Sequence, residues 1–524
     1  MRNDFNYARI FMGLSVIIGI TACTSSTYID EVVVMGMKAS MPVEEDARRE
    51  RTQIDSNDFE TFKINPVKLV ADEPVSTFSA DVDTASYSFV RRRLNAGYLP
   101  EKDAVRLEEF VNYFDYRYQQ PNSNDEPFKA NIVVHNAPWA PGKKLIHIGV
   151  QGYNLESKQK PDSNLVFLMD VSGSMNAADK LPLVKQSFKL LLSQLKPTDT
   201  VAIVVYAGAA GTVLEPTQVK DKSTILAALN TLEAGGSTAG GQGIQLAYTL
   251  AEQHYNDNAV NRILLATDGD FNVGITDREQ LKGFVERKRE KGIYLSILGF
   301  GNGNYQDHLM QTLAQHGNGV AVYIDTLSEA QKVLVHEATS SLFPIATDLK
   351  LQVEFNPATV KEYRLLGYET RALEREDFNN DKVDAGDIGS GHSVTAIYEI
   401  VLTSSPKSSM DELRYQQTND SKYTEKSGEL AYLKMRYKLP GETKSRLMEQ
   451  VIVDAIDIST SLKQDAEFAT AVAGFAQLLR GGQYTGDWGF DDALELAKDN
   501  RGEDEYGYRT EFVQLVRKAK VAEE

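Results

Sequence analysis

Residues 164–175, NLVFLMDVSGSM, decide the fold that we expect for this chain. Residues 165–169 form an unbroken apolar run of strand length, which is typical of a strand buried on both faces in a parallel sheet. Asp170 ends the run, and small polar residues follow it. Apolar residues then recur every three or four positions, as on one face of a helix: Leu181, Val184, Phe188, Leu191 and Leu195. The stretch therefore predicts a strand, a tight loop and a helix.

The loop after this strand carries one carboxylate and two hydroxyls, at Asp170, Ser172 and Ser174. Open α/β sheets place their ligand sites at the carboxyl ends of strands, so a turning backbone can direct the three side chains to one point. Hard oxygen donors of low total charge suit a small divalent cation such as Mg²⁺, with water completing the octahedron. The alternative is that both serines only cap the following helix, as serine often does.

Two later stretches carry further oxygen donors. Thr238 follows a glycine-rich turn, GGS at residues 235–237, and precedes a predicted helix at residues 243–253. Asp268 ends a second apolar strand and is followed by Gly269. Both residues are therefore expected in loops at the edge of the sheet that holds Asp170.

These five residues together resemble the metal-ion-dependent adhesion site (MIDAS) of the von Willebrand factor type A (vWA) family. The family pattern is filled in order by Asp170-x-Ser172-x-Ser174, by Thr238 and by Asp268 in Thr-Asp-Gly. The resemblance implies that these side chains hold Mg²⁺ or Mn²⁺, directly or through water, and leave one coordination position open. It also implies a protein-binding module, because a glutamate or aspartate of a partner protein would fill that position.

Strand and helix patterns alternate through residues 163–343, which predicts a doubly wound, mostly parallel α/β sheet. The resemblance implies that this sheet is of the vWA (Rossmann-like) type. The last helix of this region is predicted at residues 328–343. From residue 347 the apolar residues alternate, which predicts an antiparallel β-rich domain. A small helical region follows, in which we expect Asp465 to cap a helix at residues 466–479.

The same patterns divide the chain into five parts: a signal peptide (1–22), a solvated spacer (23–74), an amino-terminal region (75–160), the vWA domain (163–343) and a carboxyl-terminal β-rich and helical domain (347–524). Both flanking regions resemble those of a group of bacterial vWA lipoproteins. Residues 81–87, DVDTASY, and residues 106–114, RLEEFVNYF, carry the resemblance in the amino-terminal region. Asp81 and Asp83 also mimic the nucleophile loop of haloacid-dehalogenase-type phosphatases, but the preceding residues are too polar for the strand that such a loop requires.

The amino terminus is typical of a targeting segment, with Arg2 and Arg9 before an apolar stretch at residues 10–20. The following sequence, ITAC at residues 20–23, resembles a bacterial lipobox, which implies acylation of Cys23. Cys23 is the single cysteine of the chain, which suits an oxidising compartment. The alternatives are a secretory signal cut near Ala22 or an uncleaved anchor. Thr24 resembles the sorting context for the outer membrane, so we expect an envelope lipoprotein anchored there, on a face that the sequence leaves open.

The composition and the motifs of the chain argue against several classes of function. A net charge of −18 argues against a nucleic-acid partner, since phosphates require a basic surface. The seven histidines form no HExxH motif and no serine lies in a GxSxG elbow, so no catalytic constellation is visible. Residues 377–387 partly resemble a calcium loop, but Lys382 and Ile388 occupy positions that need glycine and glutamate, which favours a solvated acidic loop. A metal-dependent envelope hydrolase and a structural assembly protein stay as alternatives to the binding module.

Overall fold

The computed structural model describes residues 59–121, 126–156, 158–237, 240–269, 278–301, 306–410, 428–454 and 458–524. Within these ranges the strands are β1 (Lys68–Leu69), β2 (Val75–Ser79), β3 (Phe128–Asn136), β4 (Lys144–Gly152), β5 (Asp162–Asp170), β6 (Thr200–Tyr206), β7 (Ala210–Gln218), β8 (Ala259–Thr267), β9 (Ile293–Phe300), β10 (Ala321–Ile324), β11 (Pro344–Phe355), β12 (Val360–Leu366), β13 (Gly386–Gly389), β14 (Ser393–Leu402), β15 (Glu429–Lys438) and β16 (Arg446–Val453). The α-helices are α1 (Ala85–Asn95), α2 (Leu107–Val111), α3 (Leu181–Gln194), α4 (Lys222–Thr231), α5 (Gly240–Gln253), α6 (Arg278–Arg289), α7 (Asp307–His316), α8 (Leu327–Gln331), α9 (Ala338–Leu342), α10 (Thr460–Leu479), α11 (Phe490–Asp499) and α12 (Tyr508–Glu523).

The central sheet has the strand order β10-β9-β8-β5-β6-β7. Neighbouring strands are parallel except β6 and β7, which pair antiparallel. Because successive residues of β5 point to opposite faces, Phe167 packs on Phe188 of α3, whereas Leu168 lies in another core with Ile244 of α5. Helices therefore cover both faces of the sheet, and the predicted vWA-type α/β fold is confirmed.

The final helix of the vWA region is interrupted, although the sequence predicts one helix at residues 328–343. A π-helical segment, Lys332–His336, separates α8 from α9. In this segment the buried Lys332 Nζ lies 4.4 Å from the centre of the Tyr113 ring. The His336 ring stacks on Tyr506 with a centroid distance of 3.9 Å. The interruption thus coincides with contacts to residues outside the vWA region, which a regular apolar repeat cannot predict.

Two antiparallel sheets form a sandwich beside the vWA domain. One has the order β1-β12-β14-β4-β3, and the other has the order β13-β11-β15-β16, with β2 also paired to β11. Phe128 of β3 and Tyr437 of β15 meet between the sheets with ring centroids 4.6 Å apart. Because β4 pairs with β14 and β2 pairs with β11, segments before and after the vWA region contribute strands to the same sheets. The two flanking regions that the sequence separates are therefore interleaved.

The end of the predicted spacer packs on this body. Phe59 contacts the Phe89 ring edge-on at 4.9 Å, and Lys68–Leu69 forms β1 against β12. Residues 59–74 are thus not a solvated spacer, because their aromatic residues and backbone groups find partners. The rest of the predicted spacer, the predicted signal peptide and Cys23 lie outside the described residues.

The prediction that Asp465 caps the first carboxyl-terminal helix is wrong. α10 begins at Thr460, and the Ser459 hydroxyl accepts a hydrogen bond from the Leu462 amide at 3.3 Å. Asp465 lies one turn inside the helix, where its carboxylate accepts hydrogen bonds from Arg117 and Arg509. Gly481, with φ of 102°, follows the end of the helix as expected.

Across the described residues, no helix combines the length and the hydrophobicity needed to cross a bilayer.

Candidate metal centre

The two predicted aspartate ligands leave the same edge of the central sheet. Asp170 is the last residue of β5, and Asp268 directly follows the end of β8. These strands are parallel neighbours, with Met169 paired to Ala266, so both carboxylates emerge side by side. Asp170 and Asp268 are 0% and 2% exposed. The sheet therefore brings two buried carboxylates to one place.

The loop after β5 brings both serine hydroxyls beside Asp170. The Ser172 amide donates a hydrogen bond to Asp170 Oδ1 at 2.8 Å, and the Ser172 and Ser174 hydroxyl oxygens lie 3.0 Å apart. Ser172 is buried and Ser174 is exposed. Burial raises the pKa of Asp170 to about 6, the hydrogen bonds with Ser172 oppose this rise, and the nearby charge of Asp268 adds to it.

The glycine-rich loop that leads to Thr238 is hydrogen-bonded to the Asp170 loop. The Gly235 amide donates to the Val171 carbonyl at 2.8 Å, and the Gly173 amide donates to the Gly236 carbonyl at 3.0 Å. Gly236 has φ of 85°, a conformation that favours glycine. Thr238 lies outside the described residues, whereas Gly235 and Gly236 before it contact the loop that follows Asp170.

Lys180 is a residue of this site that the sequence analysis missed. Its Nζ lies 2.8 Å from Asp268 Oδ2, and the two side chains are 12% and 1% exposed. The lysine chain crosses Gly301, where an added Cβ would lie 2.3 Å from Lys180 Cε. Lys180 directly precedes α3, where the helix dipole disfavours a cation. That unfavourable position was the one signal in the sequence that this lysine has another partner.

The donor set at this edge fits a small hard cation. Asp170, Ser172, Ser174 and Asp268 offer carboxylate and hydroxyl oxygens, the ligands that suit Mg²⁺ and Mn²⁺. Among the described residues, no group of three or more His, Cys, Asp or Glu side chains is placed to hold a metal ion. A cation at this edge would therefore depend on hydroxyl oxygens as well as on the two carboxylates.

The other acidic motifs of the sequence have cationic partners in the protein. Arg371 Nη2 lies 3.1 Å from Asp81 Oδ1 and 2.8 Å from Asp83 Oδ2, which gives both aspartates a structural role. In the acidic loop at residues 377–387, the Lys350 ammonium donates to the carbonyls of Asp377 and Asn380. The expectation of a solvated loop is therefore wrong in part, because a lysine from the sandwich holds this loop.

Comparison with known proteins extends these observations. Family models match in three places: "von Willebrand factor" at residues 53–147, "von Willebrand factor type A domain" at residues 164–336 and "Uncharacterized protein YfbK, C-terminal" at residues 340–521. The uncharacterized protein YfbK of Escherichia coli (strain K12) is 45% identical over 464 residues, which cover 87% of this chain and 80% of that protein.

Solved structures of vWA proteins resemble this one at lower identity. A von Willebrand factor type A protein from Catenulispora acidiphila is 16% identical, with a TM-score of 0.41, over 77% of this chain and 91% of that one. Proximal thread matrix protein 1 from the mussel byssus, with a zinc-occupied MIDAS motif, is 22% identical, with a TM-score of 0.29, over 33% and 44% of the two chains. The vWA domain belongs to a family of protein-interaction and adhesion modules that often depend on a metal. Over most of its length, then, this chain is a member of the YfbK family, in which a vWA domain precedes the carboxyl-terminal YfbK domain.

Proposed function

We propose that this protein is a membrane-anchored protein-binding module of the bacterial cell envelope. Its vWA domain would hold Mg²⁺ or Mn²⁺ at Asp170, Ser172, Ser174, Thr238 and Asp268. The observation that carries the proposal is the meeting of Asp170 and Asp268 at one sheet edge, beside two serine hydroxyl oxygens 3.0 Å apart. Hydroxyl ligands neutralise little of the cation's charge, so the ion stays attractive to a carboxylate of the partner.

The exposure of the surrounding loops supports access by a partner. Ser174 and residues 235–237 are exposed, whereas Asp170, Ser172 and Asp268 are buried beneath them. A surface groove beside Met175 runs along α3, and its charged lining residues are Lys185, Lys189 and Glu233. A cation and an excess of one positive charge in this groove favour an acidic segment of a partner, although the whole chain carries a net charge of −18.

The membrane anchor in this proposal is the acylated Cys23, and the membrane is the outer membrane. Its support is the lipobox-like sequence at residues 20–23 and the lack of any other cysteine in the chain. Several acyl chains on one residue would hold the protein far more firmly than a single chain. Labelling of the expressed protein with a radioactive fatty acid, compared with Cys23→Ser, tests the anchor independently of the metal site.

Capture of a partner from envelope extracts tests the binding function. The immobilised protein is expected to retain a partner with Mg²⁺ present and to release it with a chelator. Asp170→Ala should abolish capture, whereas Asp221→Ala, which removes an exposed carboxylate from the same domain, should retain it. Amidation of the partner's carboxyl groups should also abolish capture.

The same experiment separates the alternatives. A second outcome is that the protein turns over a peptidoglycan or phosphoester substrate in a reaction that requires both Mg²⁺ and Asp170. That result would reject the binding module and show that the protein is a hydrolase whose metal activates water. Capture that is equal with and without chelator, and equal for Asp170→Ala, would leave only a structural role.

A further inference from the structure

A group of two imidazole nitrogens and one hydroxyl oxygen lies far along the chain from the vWA residues, where α10 covers the sandwich. His135 of β3 and His147 of β4 point to the same face of their sheet, and Thr470 of α10 packs over them. The two Nε2 atoms are 2.9 Å apart, and Thr470 Oγ1 is 3.2 Å from each of them. Three potential ligand atoms from three elements thus surround one point.

Each of the three atoms has a hydrogen-bond partner, and few protons are shared among them. His135 Nδ1 lies 3.1 Å from the Asn136 carbonyl, so we assign its proton to Nδ1, which leaves a lone pair on Nε2. The Thr470 hydroxyl donates to the Ala466 carbonyl at 2.8 Å, so its lone pairs face the imidazoles. His147 can supply one proton at most, and its Nδ1 is buried without a hydrogen-bond partner among the described residues. Two acceptors therefore compete for a single proton.

The surroundings keep both imidazoles in the neutral form that binds metals. His147 is 2% exposed, and burial lowers the pKa values of both histidines. Glu467, whose carboxylate is 3.7 Å from His135 Nδ1, partly opposes this effect for His135, whereas Lys463 and Lys144 add to it. At neutral pH both rings are thus neutral. His135 Nε2 then carries no proton, and His147 Nε2 becomes a ligand when the proton of that ring lies on Nδ1.

We propose that His135, His147 and Thr470 form a second cation site, which binds a borderline transition-metal ion of the Zn²⁺ class. Imidazole nitrogens select this class over Mg²⁺, which prefers the all-oxygen donors near Asp170. A tetrahedral zinc ion with bonds of about 2.0–2.1 Å to nitrogen separates its ligand atoms by roughly 3.4 Å. The three atoms need to open by only a few tenths of an ångström to reach that spacing, and water completes the shell.

Such an ion would join the sandwich to the carboxyl-terminal helices. His135 and His147 are supplied by the segment before the vWA domain, whereas Thr470 is supplied by the segment after it. The ion would therefore stabilise the docking of α10 without contributing to the vWA centre. This role predicts that zinc raises the unfolding temperature even when the vWA centre cannot bind metal.

We test the proposal by measuring zinc binding to the whole mature chain that carries Asp170→Ala, in excess Mg²⁺. The Asp170→Ala substitution prevents zinc from binding at the vWA centre. We expect one zinc ion per chain by calorimetry and by elemental analysis after buffer exchange. Adding His135→Gln should weaken binding at least tenfold and cancel the zinc-dependent rise in unfolding temperature. Adding His316→Gln, which removes a half-buried histidine beside Glu286, should change neither value.

Thr470→Val repeats the test with nearly unchanged side-chain shape and should also weaken zinc binding. Circular dichroism and the unfolding transition establish that each variant is folded. Equal zinc affinity with and without His135, or no stoichiometric zinc in the Asp170→Ala protein, would overturn the proposal. If the Asp170→Ala protein holds no stoichiometric zinc, a shared proton alone explains the contact between the two imidazoles.

Discussion

Lys180 Nζ lies 2.8 Å from Asp268 Oδ2, in an ion pair that is almost completely buried. An ammonium group thus contacts one of the two carboxylates that the vWA pattern assigns to a divalent cation. Lysine and the cation carry charge of the same sign, so they compete for the same carboxylate. The pair connects the loop before α3 to the end of β8, and it predicts how the metal-free protein is stabilised.

We expect Lys180→Met to lower the stability of the metal-free protein and to raise its affinity for Mg²⁺. Removing one partner of a buried ion pair costs about 3 kcal/mol, because the other charge stays buried. Mg²⁺ should restore much of this loss, since it binds the folded state alone. Thermal unfolding with and without Mg²⁺ measures both effects. Lys189→Met, in the helix that follows Lys180, is the control. Equal Mg²⁺ affinity in Lys180→Met and the parent protein would contradict the competition.

We expect Asp170→Ala and Thr238→Ala to weaken Mg²⁺ binding at least tenfold, because each removes an oxygen donor from the predicted centre. Asp221→Ala should bind as the parent protein does, since Asp221 is exposed and lies outside the predicted site. Calorimetric titration of the three variants with Mg²⁺ and Mn²⁺ gives the affinities. If Asp170→Ala and Thr238→Ala bind as tightly as the parent, these residues do not hold the cation.

Glu108 predicts a dependence of stability on pH that is independent of the metal centre. Burial, with the charges of Glu369 and Asp81, raises the pKa of Glu108 to about 8. The folded state therefore holds a proton that the unfolded state releases near the ordinary pKa of about 4.3. Its contribution to stability is complete below that pH and is lost as the pH rises through about 8.

Glu108→Gln should remove this dependence, because the amide oxygen can still accept the hydrogen bond that the Tyr368 amide donates at 2.9 Å. Relative to the parent, the variant should gain stability from pH 5 to pH 8.5, by an amount on the order of a few kcal/mol. Urea unfolding across this range measures the difference. A difference between the two proteins that is constant with pH would show that Glu108 is ionised in the folded state.

Local patterns predicted the elements that hold the candidate site. The apolar run before Asp170 and the helical spacing after it are properties of neighbouring residues, and both elements fold as expected. Parallel neighbouring strands then bring Asp268 to the same edge. Lys180 was missed because its partner is 88 residues away along the chain, and a flexible side chain gives no periodic signal.

Pairing between strands that are far apart along the chain accounts for the larger differences between the predicted and the observed fold. The alternation of β4 and β14 indicates strands, but nothing local indicates that these two strands pair with each other across the whole vWA domain. For the same reason the sequence separated two regions that share a sandwich. The sequence likewise does not indicate that His135, His147 and Thr470 meet, because this depends on the pairing of β3 with β4 and on the docking of α10.

The local preference of aspartate for helix starts assigned the wrong role to Asp465. Its observed contacts predict a large effect on stability. Aspartate is common at helix starts, but here the carboxylate is fully buried and accepts hydrogen bonds from the Arg117 amide at 2.7 Å and from Arg509 Nη1 at 2.9 Å. Asp465→Asn should lower the free energy of unfolding by about 3–5 kcal/mol, because Arg509 would stay buried without its anion. Asp491→Asn breaks the exposed pair with Lys520 and should cost much less, because water screens the two charges. Chemical unfolding of both variants measures the contrast, and equal losses would mean that the buried pair does not anchor α10.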